Sequence, residues 1–367
     1  MKKLLGFLIP VCIISFICFG VSSMFLPRSG YSVGDPINDG NKYVFEGVVN
    51  TDRTWRIFDE FPIINLNSSG VKTIVNQHDG NEIIVSASVP SGRNVYVGAY
   101  YDDEQLTIET SRDNVSFSDI VDSFGKVLWS EDIFTSSDGV VVTVSFPKSI
   151  YDYVNVKLGS GELYVDELYA KNNDIRVGSG TLRMSRSKRY VSEYLGVYIG
   201  SGDVKIKDYH SNSFDVHLGS GKCEISGLEG NGTLDMGSGS CKLITNDSLS
   251  TFSGDISSGK LELYVAEGGA QITASVGSGS VNVNAYGVEE KVNNSTVECE
   301  QPIVFGNAEA ALDIELGSGK VSILPCEKAP DIQINIPKTA AADKTDSAET
   351  ATDSGVVTDS VDVSSDY

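Results

Sequence analysis

Seven Gly-Ser-Gly tripeptides recur in this chain, and they are its strongest candidates for a ligand-binding motif. A glycine-rich turn can hold a phosphate on its backbone N–H groups when the turn opens into a helix. Here each tripeptide precedes alternating polar and apolar residues, which predict a strand instead. The pattern therefore indicates structural turns, in which glycine supplies unusual φ values in a tight corner, and no cofactor. The turn residues are Gly159, Gly161, Gly178, Gly180, Gly200, Gly202, Gly219, Gly221, Gly237, Gly239, Gly277, Gly279, Gly317 and Gly319.

The remaining reactive residue types show no arrangement typical of catalysis or metal binding. The three histidines, His78, His210 and His217, are not grouped, and no Cys-x-x-Cys or nucleophile-elbow motif occurs. Exposed acids such as Asp203, Asp235 and Asp255 are interpreted as solvated surface. The sequence predicts no catalytic residue, no metal site and no cofactor. Clustered carboxylates on one face would be the mark of a polysaccharide-active enzyme, but no pair stands out.

The elements that carry the tripeptides form a repeat of about 20 residues, with a degenerate copy at Ser257-Ser258-Gly259. Positions in each copy are counted here from the first residue of the motif. The residues one before, four after and six after this first residue are apolar in every copy, and the residue three after it is polar. This alternation beside a turn predicts strand, turn and strand with one buried face. The 40-residue step from Gly277 to Gly317 is interpreted as two periods, with a decayed copy around Val297. The fourth position, counted from the first motif residue, holds Leu163, Leu182, Val204, Cys223, Cys241, Leu261, Val281 and Val321.

Such short units must stack to bury their apolar face. We predict an all-β fold: a single-stranded β-solenoid (β-helix) with rungs of roughly 20 residues, preceded by an N-terminal transmembrane helix. An antiparallel β-meander or sandwich is the alternative. Charges alternate in sign along one outward column from Lys205 to Glu262, so stacked neighbours would attract.

Two cysteines, Cys223 and Cys241, fall in the same inward column on successive rungs. We interpret them as small buried hydrophobic side chains, and a disulfide between them is the alternative. The redox states of Cys299 and Cys326 are left open by the sequence.

The chain begins with Lys2 and Lys3, followed by residues 4–27 without a charge. This segment predicts a signal anchor at residues 1–29, a single pass through a bacterial cell membrane with the rest of the chain outside. Secretion after signal-peptide cleavage is the alternative. Residues 30–150 are interpreted as a β region with insertions, continuous with the repeat solenoid of residues 151–337. Residues 338–367 are predicted to be a disordered acidic tail.

The formal net charge of −22 excludes the basic surface that nucleic-acid backbones require. Partners are therefore expected to be the membrane, through the N-terminal helix, and a cell-wall glycan, a host glycan or an envelope protein.

A specific order of segments precedes the repeats: Phe61-Pro-Ile-Ile-Asn-Leu, then Leu106-Thr-Ile, Trp129 and Phe134, then Val142-Thr-Val-Ser-Phe-Pro-Lys-Ser-Ile-Tyr-Asp-Tyr, running into Val156-Lys-Leu-Gly-Ser-Gly-Glu-Leu. This order resembles the bacterial putative-adhesin family, β-strand-repeat proteins of unknown function that are frequent in Gram-positive Firmicutes. The resemblance covers about residues 43–325. It implies a β-solenoid, an exported location and no established catalytic residues; some relatives are associated with envelope-stress systems.

The leading hypothesis is a non-catalytic extracellular solenoid of the cell envelope that acts as an adhesin or as a binding or structural module. A polysaccharide-active enzyme is the first alternative, and a groove lined with carboxylates and aromatic rings would favour it. A regulatory partner of an envelope-stress signalling system is the second.

Overall fold

The computed structural model describes residues 42–102, 104–112, 139–187, 189–295 and 302–337. The predicted anchor at residues 1–29, Trp129, Phe134, Val297, Cys299 and the tail at residues 338–367 lie outside these ranges. Within them, no helix is long and apolar enough to cross a membrane.

The described residues are almost entirely β-structure, which confirms the all-β prediction. One short 3-10 helix follows the last strand, at Cys326–Lys328. Residues 332–336 form no strand, although Ile332 is buried. The strands are β1 (Lys42–Val49), β2 (Arg53–Ile57), β3 (Ile63–Ser69), β4 (Val71–His78), β5 (Ile83–Ser88), β6 (Val95–Asp102), β7 (Gln105–Arg112), β8 (Val141–Pro147), β9 (Ile150–Leu158), β10 (Gly161–Asp166), β11 (Tyr169–Val177), β12 (Thr181–Ser185), β13 (Val191–Ser192), β14 (Tyr194–Ile199), β15 (Asp203–Lys207), β16 (His210–Ser211), β17 (Ser213–Leu218), β18 (Lys222–Met236), β19 (Ser240–Ile256), β20 (Lys260–Val265), β21 (Gly269–Ala285), β22 (Val288–Ser295), β23 (Ile303–Gly306), β24 (Ala310–Leu316) and β25 (Lys320–Pro325).

Each repeat forms one coil with two strands. The strand before the Gly-Ser-Gly motif belongs to what we call the first sheet, and the strand after it to the second sheet. The chain passes from the first to the second sheet at the Gly-Ser-Gly corner. It returns at the return corner, whose described residues are 148–150, 166–169, 186–187, 189–193, 208–212, 227–230 and 245–250.

Equivalent positions of successive coils are parallel neighbours. Leu163 of β10 pairs with Leu182 of β12, which pairs with Val204 of β15. The first sheet follows the same rule, because β9, β11, β14 and β17 are parallel and in register. This is the coil stacking that the repeat predicts, and the antiparallel meander is absent from these coils.

The core lies between the two sheets, where the three predicted inward columns meet. At the fourth position after each motif the side chains are at most 1% exposed. The aromatic rings of Phe214 and Phe252 also lie in this space, with ring centroids 6.4 Å apart. Alternation along each strand therefore places one face in a continuous apolar column and the other in solvent.

At the C-terminal end the coils are not stacked in chain order. Strand β24 lies between β19 and β21 in the first sheet, and β25 lies between β20 and β21 in the second. The coil that contains Gly317 is therefore inserted between two earlier coils. The interpretation of the 40-residue step as two periods is wrong, because β22 and β23 pair antiparallel with β21 and close the end of the stack.

The N-terminal end repeats this arrangement. Strand β3 lies between β7 and β9, and β4 lies between β8 and β10, all parallel. Beyond them, β1, β6 and β7 are antiparallel, as are β2, β5 and β8. Both ends of the parallel stack are thus closed by antiparallel strands, which replace a flat parallel edge by a cap.

Candidate functional site

The Gly-Ser-Gly corner uses its own backbone groups to stack. Ser179 N donates to Gly159 O and Ser201 N donates to Gly178 O, both at 2.8 Å. Ser220 N makes the same bond to Gly200 O. A phosphate cradle needs these N–H groups free, so the corner is not arranged to bind a phosphate.

The motif glycines are needed for close approach between coils. A Cβ on Gly178 would lie 2.8 Å from Gly159 O, and one on Gly219 would lie 2.8 Å from Gly200 O. The sequence interpretation attributed these glycines to unusual φ values. This is wrong for all but Gly161, the one motif glycine with a positive φ, at 89°. Crowding between stacked backbones is the physical reason for the others.

The two core cysteines are neighbours in register. Cys223 of β18 pairs with Cys241 of β19, and both are free, buried thiols. No disulfide joins them, because parallel stacking in register points both side chains in the same direction. Their mutual hydrogen bond and burial raise the pKa of Cys223, so the thiol is expected to be unreactive.

Two of the three histidines have local structural roles. His78 Nε2 lies 2.7 Å from Glu82 O, and its Nδ1 accepts from Gly80 N at 3.0 Å, which closes a turn. His217 stacks on Tyr198 at 4.8 Å between ring centroids, on the outer face of the first sheet. Among the described residues, no group of three or more His, Cys, Asp or Glu side chains is placed to hold a metal ion.

The return corner contains a cleft of about 520 Å³. It spans three coils, from the end of β4 to the loop after β12. Tyr169 and Tyr190 form its aromatic wall, with ring centroids 5.9 Å apart and planes at 76°. Ile150, 54% exposed, provides an aliphatic surface beside them. The other lining residues are polar: Asn76, Gln77, Lys148, Ser149, Asp166, Glu167, Ser187 and Arg189.

A buried arginine lies behind the aromatic wall. The guanidinium carbon of Arg186 is 5.2 Å from the ring centre of Tyr169, 6.0 Å from that of Tyr190 and 3.8 Å from that of Tyr209. The residue is only 2% exposed. Three aromatic rings around one cation provide cation–π attraction in place of a carboxylate.

The hydrogen bonds of Arg186 are all to neutral groups. Its Nε donates to Leu168 O at 3.1 Å and its Nη1 to Ser192 Oγ at 3.2 Å. Its Nη2 has no hydrogen-bond partner among the described residues, and none of their carboxylates pairs with it. A buried cation without a counter-ion creates a positive potential at its surroundings.

Two carboxylates that are adjacent in the sequence, Asp166 and Glu167, also line the cleft. Glu167 accepts hydrogen bonds from the Tyr169 hydroxyl and from Ser187 N, so its position is set by the corner. Its φ of 58° recurs as 55° at Asp208, two coils further on, which marks a feature of corner geometry. Burial raises the pKa of the Asp166 carboxyl; a hydrogen bond from Ser185 opposes this, and the charge of Glu167 adds to it.

A polar cluster connects the rim of the cleft to the neighbouring coils. Arg189 Nη2 lies 3.2 Å from Glu229 Oε2, which also accepts from Asn246 Nδ2 at 3.1 Å. The other carboxylate oxygen of Glu229 lies 3.3 Å from His210 Nδ1. The Glu229 side chain is 6% exposed and the Arg189 side chain 65%, so the carboxylate fixes one end of a largely exposed cation.

Sequence reasoning missed this cleft, although two signals point to it. The step from Gly178 to Gly200 is 22 residues, against 19 on either side, and the extra residues form the loop that bears Arg189 and Tyr190. Insertions in one repeat commonly form binding loops. In addition, Tyr169, Tyr190 and Tyr209 recur at about the repeat period, so one tyrosine per coil surrounds Arg186.

The chain is similar to several solved structures and to one protein family. None of the curated proteins matches this chain. A structure titled putative cell adhesion protein from Clostridium sporogenes is 14% identical, with a TM-score of 0.25, over 77% of this chain and 100% of its own. A putative lipid binding protein from Parabacteroides distasonis is 16% identical (TM-score 0.41; 74% and 96% covered), and a putative adhesin from Bacteroides fragilis is 8% identical (TM-score 0.31; 76% and 97% covered).

The family model described as Toastrack DUF4097 matches residues 62–324, from the residue before β3 to the last residue but one of β25. These residues include every Gly-Ser-Gly corner and all residues of the cleft. Because this match covers well over half of the chain, the protein belongs to the Toastrack DUF4097 family.

Proposed function

We propose that this protein is a non-catalytic, extracellular binding module of the bacterial cell envelope, held at the membrane by residues 1–29, and that the return-corner cleft binds a glycan. The observation that carries the proposal is the composition of the cleft. Tyr169 and Tyr190 offer ring surface against which the C–H face of a sugar packs. Amide and charged side chains around them supply the hydrogen bonds that sugar hydroxyls need.

The stacked coils suit such a role. Residues that line the cleft come from β4, from the corner between β8 and β9, and from the corners that follow β10 and β12. Parallel pairing of β4 with β10 and of β10 with β12 holds these elements in fixed register. A site built on paired strands is largely preformed, so little binding energy is spent on ordering it. Adhesion to a cell-wall or host glycan would use this rigidity.

The proposal is tested with the full-length chain, purified in mild detergent, on a glycan array and then by calorimetry with the best ligand. Replacing Tyr190 by Ala removes half of the aromatic wall, and we expect affinity to fall about tenfold or more. Tyr198→Ala is the matched control, because Tyr198 is a half-buried ring beside a cation, with Arg176 at 4.9 Å, but lies outside the cleft. Absence of any glycan ligand, or equal losses in the two variants, would contradict the proposal.

A second candidate is glycoside hydrolysis, favoured by one observation: Asp166 and Glu167 line the same cleft as the two aromatic rings, and burial raises the pKa of Asp166. Paired carboxylates with separated pKa values are the basis of that chemistry. Against this candidate, Glu167 is already engaged by Tyr169 and Ser187. Incubation of the array ligand with wild type and Asp166→Asn, followed by mass spectrometry, separates the candidates. Cleavage by wild type alone would establish an enzyme.

A further inference from the structure

We propose that the cleft selects sugars that carry a carboxylate, an inference that rests on the proposed function. Its first support is Arg186, the buried guanidinium directly behind the aromatic wall. Since its partners are neutral atoms and tyrosine rings, its charge is not cancelled locally. An anionic group in the cleft would face this charge across the rings of Tyr169 and Tyr190.

The second support is the pair of cations on the rim. The Lys148 side chain is 56% exposed and the Arg189 side chain 65%, so both present charge to a ligand that enters from solvent. Among the described residues, each of these side chains has one ionic partner: Lys148 Nζ lies 2.6 Å from Asp79, whose side chain is 89% exposed, and Arg189 binds the buried Glu229. An exposed ion pair such as Lys148–Asp79 is weak, so Lys148 can exchange its partner for a ligand carboxylate.

The two carboxylates that line the cleft, Asp166 and Glu167, disfavour a ligand group that brings two negative charges. Glu167 is neutralised in part by the hydrogen bonds from Tyr169 and Ser187. Asp166 takes up a proton more readily than an ordinary aspartate and can then donate a hydrogen bond to a ligand carboxylate. A phosphate dianion would meet repulsion from both residues, whereas a carboxylated sugar brings one charge to the three cations.

The cations at the cleft contrast with the acidic character of the rest of the chain. The whole chain carries a formal charge of −22, which repels anions at long range. Salt screens this repulsion over about 10 Å at 0.1 M, while contacts within the cleft are screened less. Selectivity for acidic sugars should therefore persist at physiological salt.

The test measures binding of two probes to the full-length chain by calorimetry: galacturonic acid, which carries a single carboxylate, and its methyl ester. The ester has the same ring and hydroxyls but no charge. We expect the acid to bind about tenfold more tightly than the ester. Lys148→Gln should weaken the acid about fivefold and the ester by much less, because glutamine keeps a hydrogen-bond donor and loses only the charge. Lys171→Gln should change neither, since Lys171 forms an equivalent exposed pair with Asp152 outside the cleft, also at 2.6 Å.

Each alternative result overturns the inference in a distinguishable way. If the ester binds as tightly as the acid and Tyr190→Ala weakens both, the cleft is a glycan site without charge selectivity, and the proposed function stands alone. If Lys171→Gln weakens the acid as much as Lys148→Gln does, the effect is general electrostatics. If neither probe nor any other glycan binds, the inference fails together with the proposed function.

Discussion

Gly221→Ala tests whether crowding between coils is the reason for glycine at the Gly-Ser-Gly corner. A Cβ at this position would lie 2.3 Å from Gly202 O and 2.9 Å from Ile199 Cγ2, whereas ordinary contact begins at about 3.4 Å. The backbone of Gly221 lies outside the left-handed region, so its φ imposes no strain on alanine. The substitution therefore isolates the effect of contact.

Two opposing terms set the expected magnitude. Replacing glycine by alanine at an unstrained position stabilises a protein by about 0.4–1 kcal/mol, because the unfolded chain loses freedom. Overpacking costs about 1–3 kcal/mol. Moving the coils apart also weakens the corner bonds from Lys222 N to Gly202 O (2.8 Å) and from Ser240 N to Gly221 O (3.1 Å), at about 1 kcal/mol each. These contributions combine to a loss of about 2–5 kcal/mol in the free energy of unfolding. We expect a value near the lower end, about 2 kcal/mol, because the two corner bonds are lengthened and not broken.

The assay is thermal unfolding followed by circular dichroism, with hydrogen exchange at the corner amides. For a chain of this size, a loss of about 2 kcal/mol lowers Tm by roughly 4–8 °C. Ser220→Ala is the matched control: it changes an exposed side chain in the same motif, adds no atom, and should move Tm by less than about 1 °C. A Gly221→Ala protein as stable as wild type, or more stable, would refute the crowding argument, because the entropic term alone would then operate.

Three further predictions concern the core and the outer columns. Val204→Asp places a charge in the dry column between the sheets and should lower Tm by more than 10 °C, whereas an unchanged melting curve would refute the inward assignment. Without reductant, Cys223 and Cys241 should resist alkylation in the folded chain and both react in denaturant, as counted by mass spectrometry; a missing pair of labels would show a disulfide. Burial raises the pKa of the Glu224 carboxyl, but Lys222 and the neighbouring lysines lower it more, so the net pKa is below its usual value. The ionised carboxylate therefore stabilises the folded chain at pH above about 4.3, and this stabilisation is lost as the pH falls through the lowered pKa. The difference in Tm between wild type and Glu224→Gln should therefore disappear in acid; a difference independent of pH would contradict this.

The sequence predicts the coil well because its information is local. Alternation beside each turn identifies the inward residues, and all of those in the Leu163–Leu182–Val204 column are fully buried. The charge column is present too, with Lys205 3.6 Å from Glu224 in the next coil. The candidate cleft was not predicted, since Gln77 and Arg189 are brought together only by stacking of coils that are distant in the sequence.

From the amino-acid sequence alone we could predict the strand–turn–strand unit, its period and the residues that face the core. These follow from period-2 alternation and from the small residues of the turn, which are properties of each repeat alone. The order in which the coils stack was seen only in the tertiary structure. Every coil presents the same apolar columns, so nothing in the pattern distinguishes chain order from the insertion of β24 and β25 between β19–β20 and β21. The same stacking placed Arg186 behind two rings and created the cleft, because contacts between neighbouring corners depend on which coils are neighbours.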